Sequence, residues 1–362
     1  METIADFEIK YSQFLDPQGK PSKDIPALAK DTDELLDMYR QMTETRVFDA
    51  KAINLQRTGK LGTYASCLGH EATHVGLALA MQESDVLAPS YREYGAMFAR
   101  GVTMAEILLY WGGDERGSDF AGPRNDFPFC VPIATQCLHA AGAAMSFQHR
   151  GEKRCAVSIN GDGGTSEGAF YEAMNIAGAR SLPVVFMIVN NKWAISVPIE
   201  MQTATETLAQ KAVAAGIPGI QVDGNDIVAV RHWVGKALER GRRGEGPTLI
   251  EAVTYRLSDH TTADDSSRYR KNDEVENAWK VEPLIRMRSY LTDLGIWDDD
   301  KEQALQESSA AKVDEAVQTY LNTPKAPVES MFDYMYEELP EFLEEQRDHA
   351  MQYGDTNGGD HG

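Results

Sequence analysis

Asp162 stands between Gly161 and Gly163, and 29 positions later Asn191 closes the pair Asn190-Asn191. A carboxylate and an amide oxygen suit a hard cation such as Mg²⁺, which takes oxygen ligands in an octahedron and binds phosphates through one or two protein carboxylates. Gly163 and Gly164 let the backbone come close to a phosphate, and a helix beginning near Glu167 adds amide donors. The chemistry within reach is a diphosphate held through a metal. A dinucleotide fingerprint fails because Ser166 stands where its third glycine belongs. A P-loop fails because Ala169 and Phe170 follow Gly168 in place of a lysine. An ordinary strand–helix turn with an incidental aspartate also fits GDG taken alone; the Asn pair ending the next strand weighs against it.

The elements that must position these residues are legible around them. Residues 154–159 (RCAVSI) read as a buried strand and 160–166 as a tight turn. Glu167 to Arg180 reads as a helix with Ala169, Phe170, Ala173, Met174, Ile176 and Ala177 at helical spacing, and Pro183 to Val189 as the next buried strand. This is the crossover unit of a parallel sheet, with Asp162 and Asn191 at carboxyl ends of strands, where open α/β sheets bind ligands. Tyr91 and Arg92 follow a strand expected to end near Val86. Arginine suits phosphate because its planar fork meets two oxygens at once. A surface arginine is the bland alternative for Arg92 and for Arg256. His260 lies in a polar stretch without periodicity, hence on a loop, where it either carries chemistry or is merely solvated.

The predicted fold class is α/β. Residues 1–45 form a polar, proline-punctuated arm, expected to pack on something else, and a helix from Thr32 to Arg57 capped by Thr32 or Asp33. Residues 46–300 form the α/β domain, with a strand at 219–222, a helix to about Arg243 and a strand at 247–255. Helices with acidic faces occupy 273–322. Residues 301–347 are a helical extension and 348–362 a disordered tail. The 362 residues, 42% hydrophobic, suffice for a large core, and the net charge of −21 argues against nucleic acid and anionic membrane as partners. Cys67, Cys130, Cys137 and Cys155 form no metal spacing, and no apolar run reaches membrane-spanning length. The acidic start, METIADFEIKYSQF, resembles neither a signal nor a transit peptide, so a soluble, cytoplasmic protein is expected.

GDGGTSEGAFYEAMNIAGARSLPVVFMIVNN resembles the thiamin diphosphate motif. INLQRTGKLGTYASCLGHEATHVG (53–76), the SYR of 90–92 and YRLSDHTTADDSSRYR (255–270) resemble the alpha subunit of two-subunit 2-oxo acid dehydrogenases, from about residue 35 to 346. The resemblance implies a mainly parallel sheet flanked by helices that binds thiamin diphosphate and Mg²⁺. The expected metal ligands are Asp162, the side chain of Asn191 and the backbone carbonyl of Trp193. Cofactor contacts are expected from Tyr91, Arg92, Val131, Ile133, Asp162, Gly163, Gly164, Asn191, Arg256 and His260. Ile133 falls where the family places an apolar residue that bends the thiamin; on the residues alone it would be plain core. Thr135 and Gln136 match a K⁺-holding pair of the branched-chain enzymes. His260 is expected at the active-site mouth as the catalytic histidine, a proton donor near neutral pH.

The resemblance also implies oxidative decarboxylation of a small 2-oxo acid, with the acyl unit passed to a lipoyl-bearing dihydrolipoyl acyltransferase. A beta subunit in an α₂β₂ heterotetramer would supply the activating glutamate, for which this chain has no match. Pyruvate is the preferred substrate on AQKAVAAGIPGIQVDG (209–224) and FDYMYEELPEFLEEQ; CVPIATQ (130–136) and HTTADDSSRYR lean toward branched-chain substrates. Thr63, where the family carries an aromatic residue, and residues 112–129 depart from the pattern near the substrate.

Overall fold

In the computed structural model, which describes residues 1–354, helices cover both faces of a six-stranded parallel sheet. The chain runs β1 (Lys10–Ser12), α1 (Thr32–Arg57), α2 (Glu71–Ala80), β2 (Val86–Ala88), α3 (Tyr94–Ala99), α4 (Met104–Trp111), α5 (Thr135–Arg150) and β3 (Ala156–Gly161). It continues through α6 (Gly168–Arg180), β4 (Val184–Asn190), a small hairpin β5 (Trp193–Ala194) and β6 (Val197–Pro198), α7 (Ile199–Gln202) and α8 (Lys211–Ala214). Then come β7 (Gly219–Asp223), α9 (Ile227–Arg242), β8 (Thr248–Val253), α10 (Asn272–Trp279), α11 (Pro283–Asp293), α12 (Asp299–Asn322) and α13 (Glu341–Gly354). The sheet order is β1-β7-β8-β4-β3-β2.

The central strands read as continuous apolar runs because both of their faces are covered. Val185, Met187 and Val189 of β4 meet Val230, Val234 and Leu238 of α9 on one face. Val184, Phe186 and Ile188 point the other way, against Ala140, Ala144, Ala173 and Ala177 of α5 and α6. The alanines keep those two helices close to the sheet. Truncating Phe186, fully buried between them, would cost about 3–5 kcal/mol.

Several local expectations shift. Asp31, one residue earlier than expected, caps α1 by accepting from the amides of Asp33 and Glu34. A short polar side chain just outside the first turn satisfies those amides, whereas Thr32 and Asp33 are already helical. Val86 begins a strand instead of ending one, because the preceding residues turn through Asp85, whose carboxylate accepts from Gln82 and Cys155 amides. The arm packs on the chain's own sheet: β1 pairs in parallel with β7, and Asp226 accepts from the amides of Phe14 and Leu15 at 2.6 and 2.8 Å. The C-terminal helix runs on to Gly354, past the expected boundary at 347, so the start of the expected tail is helical. The rest of that tail, 355–362, lies outside the described residues. All four cysteines are buried and free.

Candidate functional site

The register of the sheet brings the chemistry-bearing residues to one end. Gly161 of β3 pairs with Val189 of β4, Asn190 of β4 pairs with Val253 of β8, and Ala88 of β2 pairs with Ser158 of β3. Asp162 and Asn191 therefore follow directly on neighbouring strand ends, while Arg256 and Arg92 leave the sheet a few residues after β8 and β2. Parallel strands without a shift in register place their carboxyl ends side by side, and a crevice there is the general ligand position of such sheets.

Asp162 is 1% exposed. Burial pushes its carboxyl up, opposed by the Gln202 amide, its own backbone amide, Arg256 and the Asn191 amide. Gln202 Nε2 donates to its Oδ2 at 2.8 Å. Asn191 Oδ1 accepts from the Trp193 amide at 3.2 Å, and the Trp193 carbonyl accepts from Arg256 at 3.2 Å. Asn191 and Trp193 thus lie on one turn-and-hairpin unit, which Gln202 joins to Asp162 and the Trp193 carbonyl joins to Arg256. The glycines are required by contact: a Cβ on Gly163 would lie 2.6 Å from Ala194 Cβ, and one on Gly164 would lie 2.1 Å from Asn160 Oδ1. Among the described residues no group of three or more His, Cys, Asp or Glu is placed to hold a metal. A cation here would draw on one carboxylate, with amide, carbonyl and phosphate oxygens, the ligand class Mg²⁺ prefers. The donor set fits the group.

Beside this turn two buried guanidiniums flank one imidazole. Arg92, 6% exposed, reaches the Ser66 carbonyl, the His260 carbonyl at 2.9 Å and His260 Nδ1 at 3.2 Å. Arg256, fully buried, donates to the Ile195 carbonyl at 2.8 Å and the Tyr269 hydroxyl at 2.9 Å, and lies 3.4 Å from His260 Nδ1. Among the described residues neither arginine forms an ion pair. A buried, unpaired cation is costly, and two that share a neighbour repel each other. An anion between them would relieve both.

The same arrangement sets the charge state of His260 in the free chain. Burial, Arg92 and Arg256 push its pKa down to about 3, against the weaker pull of Asp264. The imidazole is therefore neutral near pH 7, accepting through Nδ1 and carrying its proton on Nε2. It can donate a hydrogen bond, but it is not an imidazolium. The expected loop is held in place: Asp264 accepts from the His260 amide at 2.8 Å and from the Tyr269 hydroxyl.

Tyr91 lies edge-on to His260, ring centroids 6.3 Å apart. The stretch carrying Val131 and Ile133 is tied to the Tyr91-Arg92 turn by the Cys130 amide, which donates to the Ser90 carbonyl at 2.9 Å. Both residues are exposed, Val131 52% and Ile133 43%, so neither is core in this chain. Ala134 takes a left-handed φ of 66°, a strained conformation for a residue with a Cβ. Thr135 opens α5, and Gln136 donates to the Ile159 carbonyl at 2.7 Å while its Oε1 is buried without a partner.

Sequence reasoning missed three contributors. Asp49 on α1 is buried and binds the Tyr64 hydroxyl, the Ser66 hydroxyl and the Cys67 amide, fixing the loop whose carbonyl receives Arg92. Its signal, an acidic residue on an otherwise buried helix face, was present. Glu93, beside Arg92, is buried, and burial raises its pKa to about 7. Gln202 had no sequence signal.

A family model described as "Dehydrogenase E1 component" matches residues 39–329. This chain belongs to that family. It is 41% identical over 349 residues to a pyruvate dehydrogenase E1 component subunit alpha from Staphylococcus aureus, covering 95% of this chain and 93% of that protein. It is 40% identical over 342 residues to a 3-methyl-2-oxobutanoate dehydrogenase subunit alpha from Mycobacterium tuberculosis, covering 93% and 92%. The S. epidermidis pyruvate dehydrogenase E1 component subunit alpha is likewise 41% identical. The chain is thus the alpha subunit of a thiamin-diphosphate-dependent 2-oxo acid dehydrogenase, an oxidoreductase. Its fold, a parallel sheet between helix layers, agrees with the resemblance.

Proposed function

We propose that this chain is the alpha subunit of a pyruvate dehydrogenase that decarboxylates pyruvate and passes the acetyl unit to a lipoyl-bearing dihydrolipoyl acyltransferase. The observation that carries the site assignment is the unpaired Arg92–His260–Arg256 cluster set against the Asp162–Asn191 turn. Bound thiamin diphosphate would supply a nucleophilic carbon for the keto group and a sink for the electron pair left when carbon dioxide departs. Asp162, Asn191 and the Trp193 carbonyl would hold Mg²⁺, with Gly163 and Gly164 giving the diphosphate close access. Arg92 and Arg256 would take the diphosphate oxygens, relieving their mutual repulsion. Tyr91 and the exposed Val131 and Ile133 would line the path of the cofactor body. Neutral His260 would offer its Nε2 hydrogen to the substrate carboxylate or to the acyl transfer step.

The cofactor-facing apolar residues are open to solvent here, which supports a site completed by a beta subunit in an α₂β₂ assembly. This chain alone should give no turnover, and mixing with the beta subunit should restore it. Robust decarboxylation by the isolated chain, shown free of partner by mass spectrometry, would refute that assignment. A K⁺ near Thr135 is supported by the unpartnered Gln136 Oε1. Its test is a rise in melting temperature in KCl that choline chloride does not give. Among the described residues no helix is long and apolar enough to cross a membrane.

A second reading, a branched-chain 2-oxo acid as substrate, is favoured by Thr63. It is small and exposed where the resembled family has an aromatic residue, leaving room for a branched side chain. The deciding assay compares pyruvate with 2-oxoisovalerate on the reconstituted complex. The pyruvate reading requires the larger kcat/KM for pyruvate.

A further inference from the structure

We propose that Gln202 completes the cation site from the protein's side: it holds Asp162 while the site is free of cation, and turns its amide over to present Oε1 to a cation-bound water when the site fills. The inference rests on the cofactor reading above and extends it to a residue outside the expected ligands.

Gln202 ends the single turn α7. Its Nε2 donates to Asp162 Oδ2 at 2.8 Å and to the Val197 carbonyl at 3.1 Å, while its Oε1 is buried and has no partner. A glutamine amide has both donors and acceptors, and leaving the buried acceptor unmade is costly. In this orientation both bonds come from the donor side. The reverse orientation would set Oε1 against the Asp162 carboxylate, which is repulsive until a cation lies between them. A divalent ion at Asp162 therefore inverts the preference. Mg²⁺ gives up its water reluctantly, and a water bound to it is a strong donor in search of an acceptor. Oε1 is a buried acceptor left unmade on the side chain that already holds Asp162.

The backbone fixes this placement. Lys192 and Ile195 adopt left-handed φ values of 75° and 55°, which side-chain-bearing residues hold only where surrounding contacts enforce it. Arg256 supplies the contacts, donating to the carbonyls of Trp193 and Ile195, and the Ile199 amide donates to the Lys192 carbonyl at 3.0 Å. A Cβ on Gly163 would lie 3.6 Å from Gln202 Oε1, so the oxygen faces the glycine turn directly. One segment, 192–202, thus carries an expected ligand carbonyl, an anchor for the phosphate-facing arginine, and the amide on Asp162.

The test uses the complex with its beta subunit, saturated with thiamin diphosphate, and Mn²⁺ in place of Mg²⁺. Free Mn²⁺ is counted by electron paramagnetic resonance, which needs no turnover. Residues that orient metal ligands contribute about 10–100-fold to affinity. Gln202→Leu, which can neither donate nor accept, should weaken Mn²⁺ by that factor. Gln202→Glu, which keeps the acceptor and loses the donor, should bind within a few-fold of wild type or more tightly. A residue that only latched Asp162 shut would compete with the cation. Gln202→Leu would then bind as tightly as wild type or better, and that result overturns the proposal. So does an equal loss in Gln202→Glu and Gln202→Leu, each checked for a native melting transition. Should Gln202→Leu not fold, the Glu variant decides alone: a tenfold loss there overturns the proposal. Failure of the wild-type complex itself to take up Mn²⁺ would instead remove the cofactor reading, and this inference with it.

Discussion

The two halves of the site are built in different ways. The proposed metal half, Asp162 with Asn191 and Trp193, hangs directly on adjacent strands whose register is set by packing on both faces of the sheet. The anion half depends on loops. Arg92 is received by the 62–69 loop, which Asp49 ties to α1, and His260 sits on the 258–270 loop. The loops are zipped together: the Thr262 amide donates to the Tyr64 carbonyl at 2.9 Å, the Tyr64 amide to Thr262 Oγ1 at 3.0 Å, and Thr254 Oγ1 to the Gly69 carbonyl at 2.7 Å. A half fixed by the core should tolerate loss of a side chain without moving. A half fixed by loop contacts should lose order along with function.

The largest effect should come from the rigid half. Asp162→Ala removes the only carboxylate among the three expected ligands, and truncating one partner of a buried charge interaction costs about 2–5 kcal/mol, or roughly 30- to several-thousand-fold in affinity. Thiamin diphosphate affinity, measured by calorimetry with the beta subunit and Mg²⁺ present, should fall by at least that lower bound, and the cofactor-free melting temperature should hold. Unchanged affinity would remove the metal assignment. Arg256→Ala should weaken diphosphate binding comparably, but it should also lower the melting temperature. The carbonyls of Trp193 and Ile195 and the Tyr269 hydroxyl all lose their shared donor. A variant that lost affinity with no loss of order would break the comparison.

The contrast also explains what the sequence made legible. The crossover from β3 to β4 could be read because burial on both faces leaves continuous apolar strands, and because Asp162 and Asn191 lie in the first residue after each. Helix α1 was visible in full through its periodicity. The loop-built half could be reached only through resemblance. Nothing local in DHTTADD specifies that His260 will stand between two guanidiniums, since Arg92 is 168 residues away in sequence. Its charge state in the free chain is therefore not legible in the loop sequence. A histidine met alone titrates near neutrality, whereas this one is held neutral by burial and by Arg92 and Arg256, supplied from other elements. The strand within the arm is not legible for a related reason: three residues of parallel edge strand leave too short a pattern to read.

A smaller effect should follow from loosening the loop without touching a cofactor contact. Asp264→Asn removes a charged acceptor from the His260 amide and the Tyr269 hydroxyl. Hydrogen bonds to charged groups are worth about 1.5–3 kcal/mol, and here the loss should appear locally. Amide exchange should quicken across 258–270 and remain unchanged in β3 and β4. Uniform quickening would mean that the two halves open as one unit and are not separately built.

The smallest effect, and the sharpest test of the anion half, concerns protons. His260 is faced by Arg92 and Arg256, with the Tyr91 ring edge-on and Asp264 opposing them. Its folded pKa of about 3 lies below the ordinary 6.5. Between those values the unfolded chain binds a proton that the folded chain refuses, so stability rises with pH across the window. This contribution is complete above about pH 6.5 and is lost as pH falls toward 3. His74, also pushed down to about 3 by burial and Arg92, acts in the same direction. His260→Gln should therefore flatten the fall in melting temperature of the cofactor-free chain between pH 6.5 and 4 without abolishing it. Diphosphate binding would neutralise the arginines that, after burial, push the His260 pKa down, so that pKa should climb and binding at mildly acidic pH should take up protons. Calorimetry in two buffers of different ionisation enthalpy measures that uptake directly, and His260→Gln should reduce it. Equal uptake in variant and wild type would mean that the diphosphate does not lie against this cluster, and the loop-built half would lose its assignment while the metal turn kept its own.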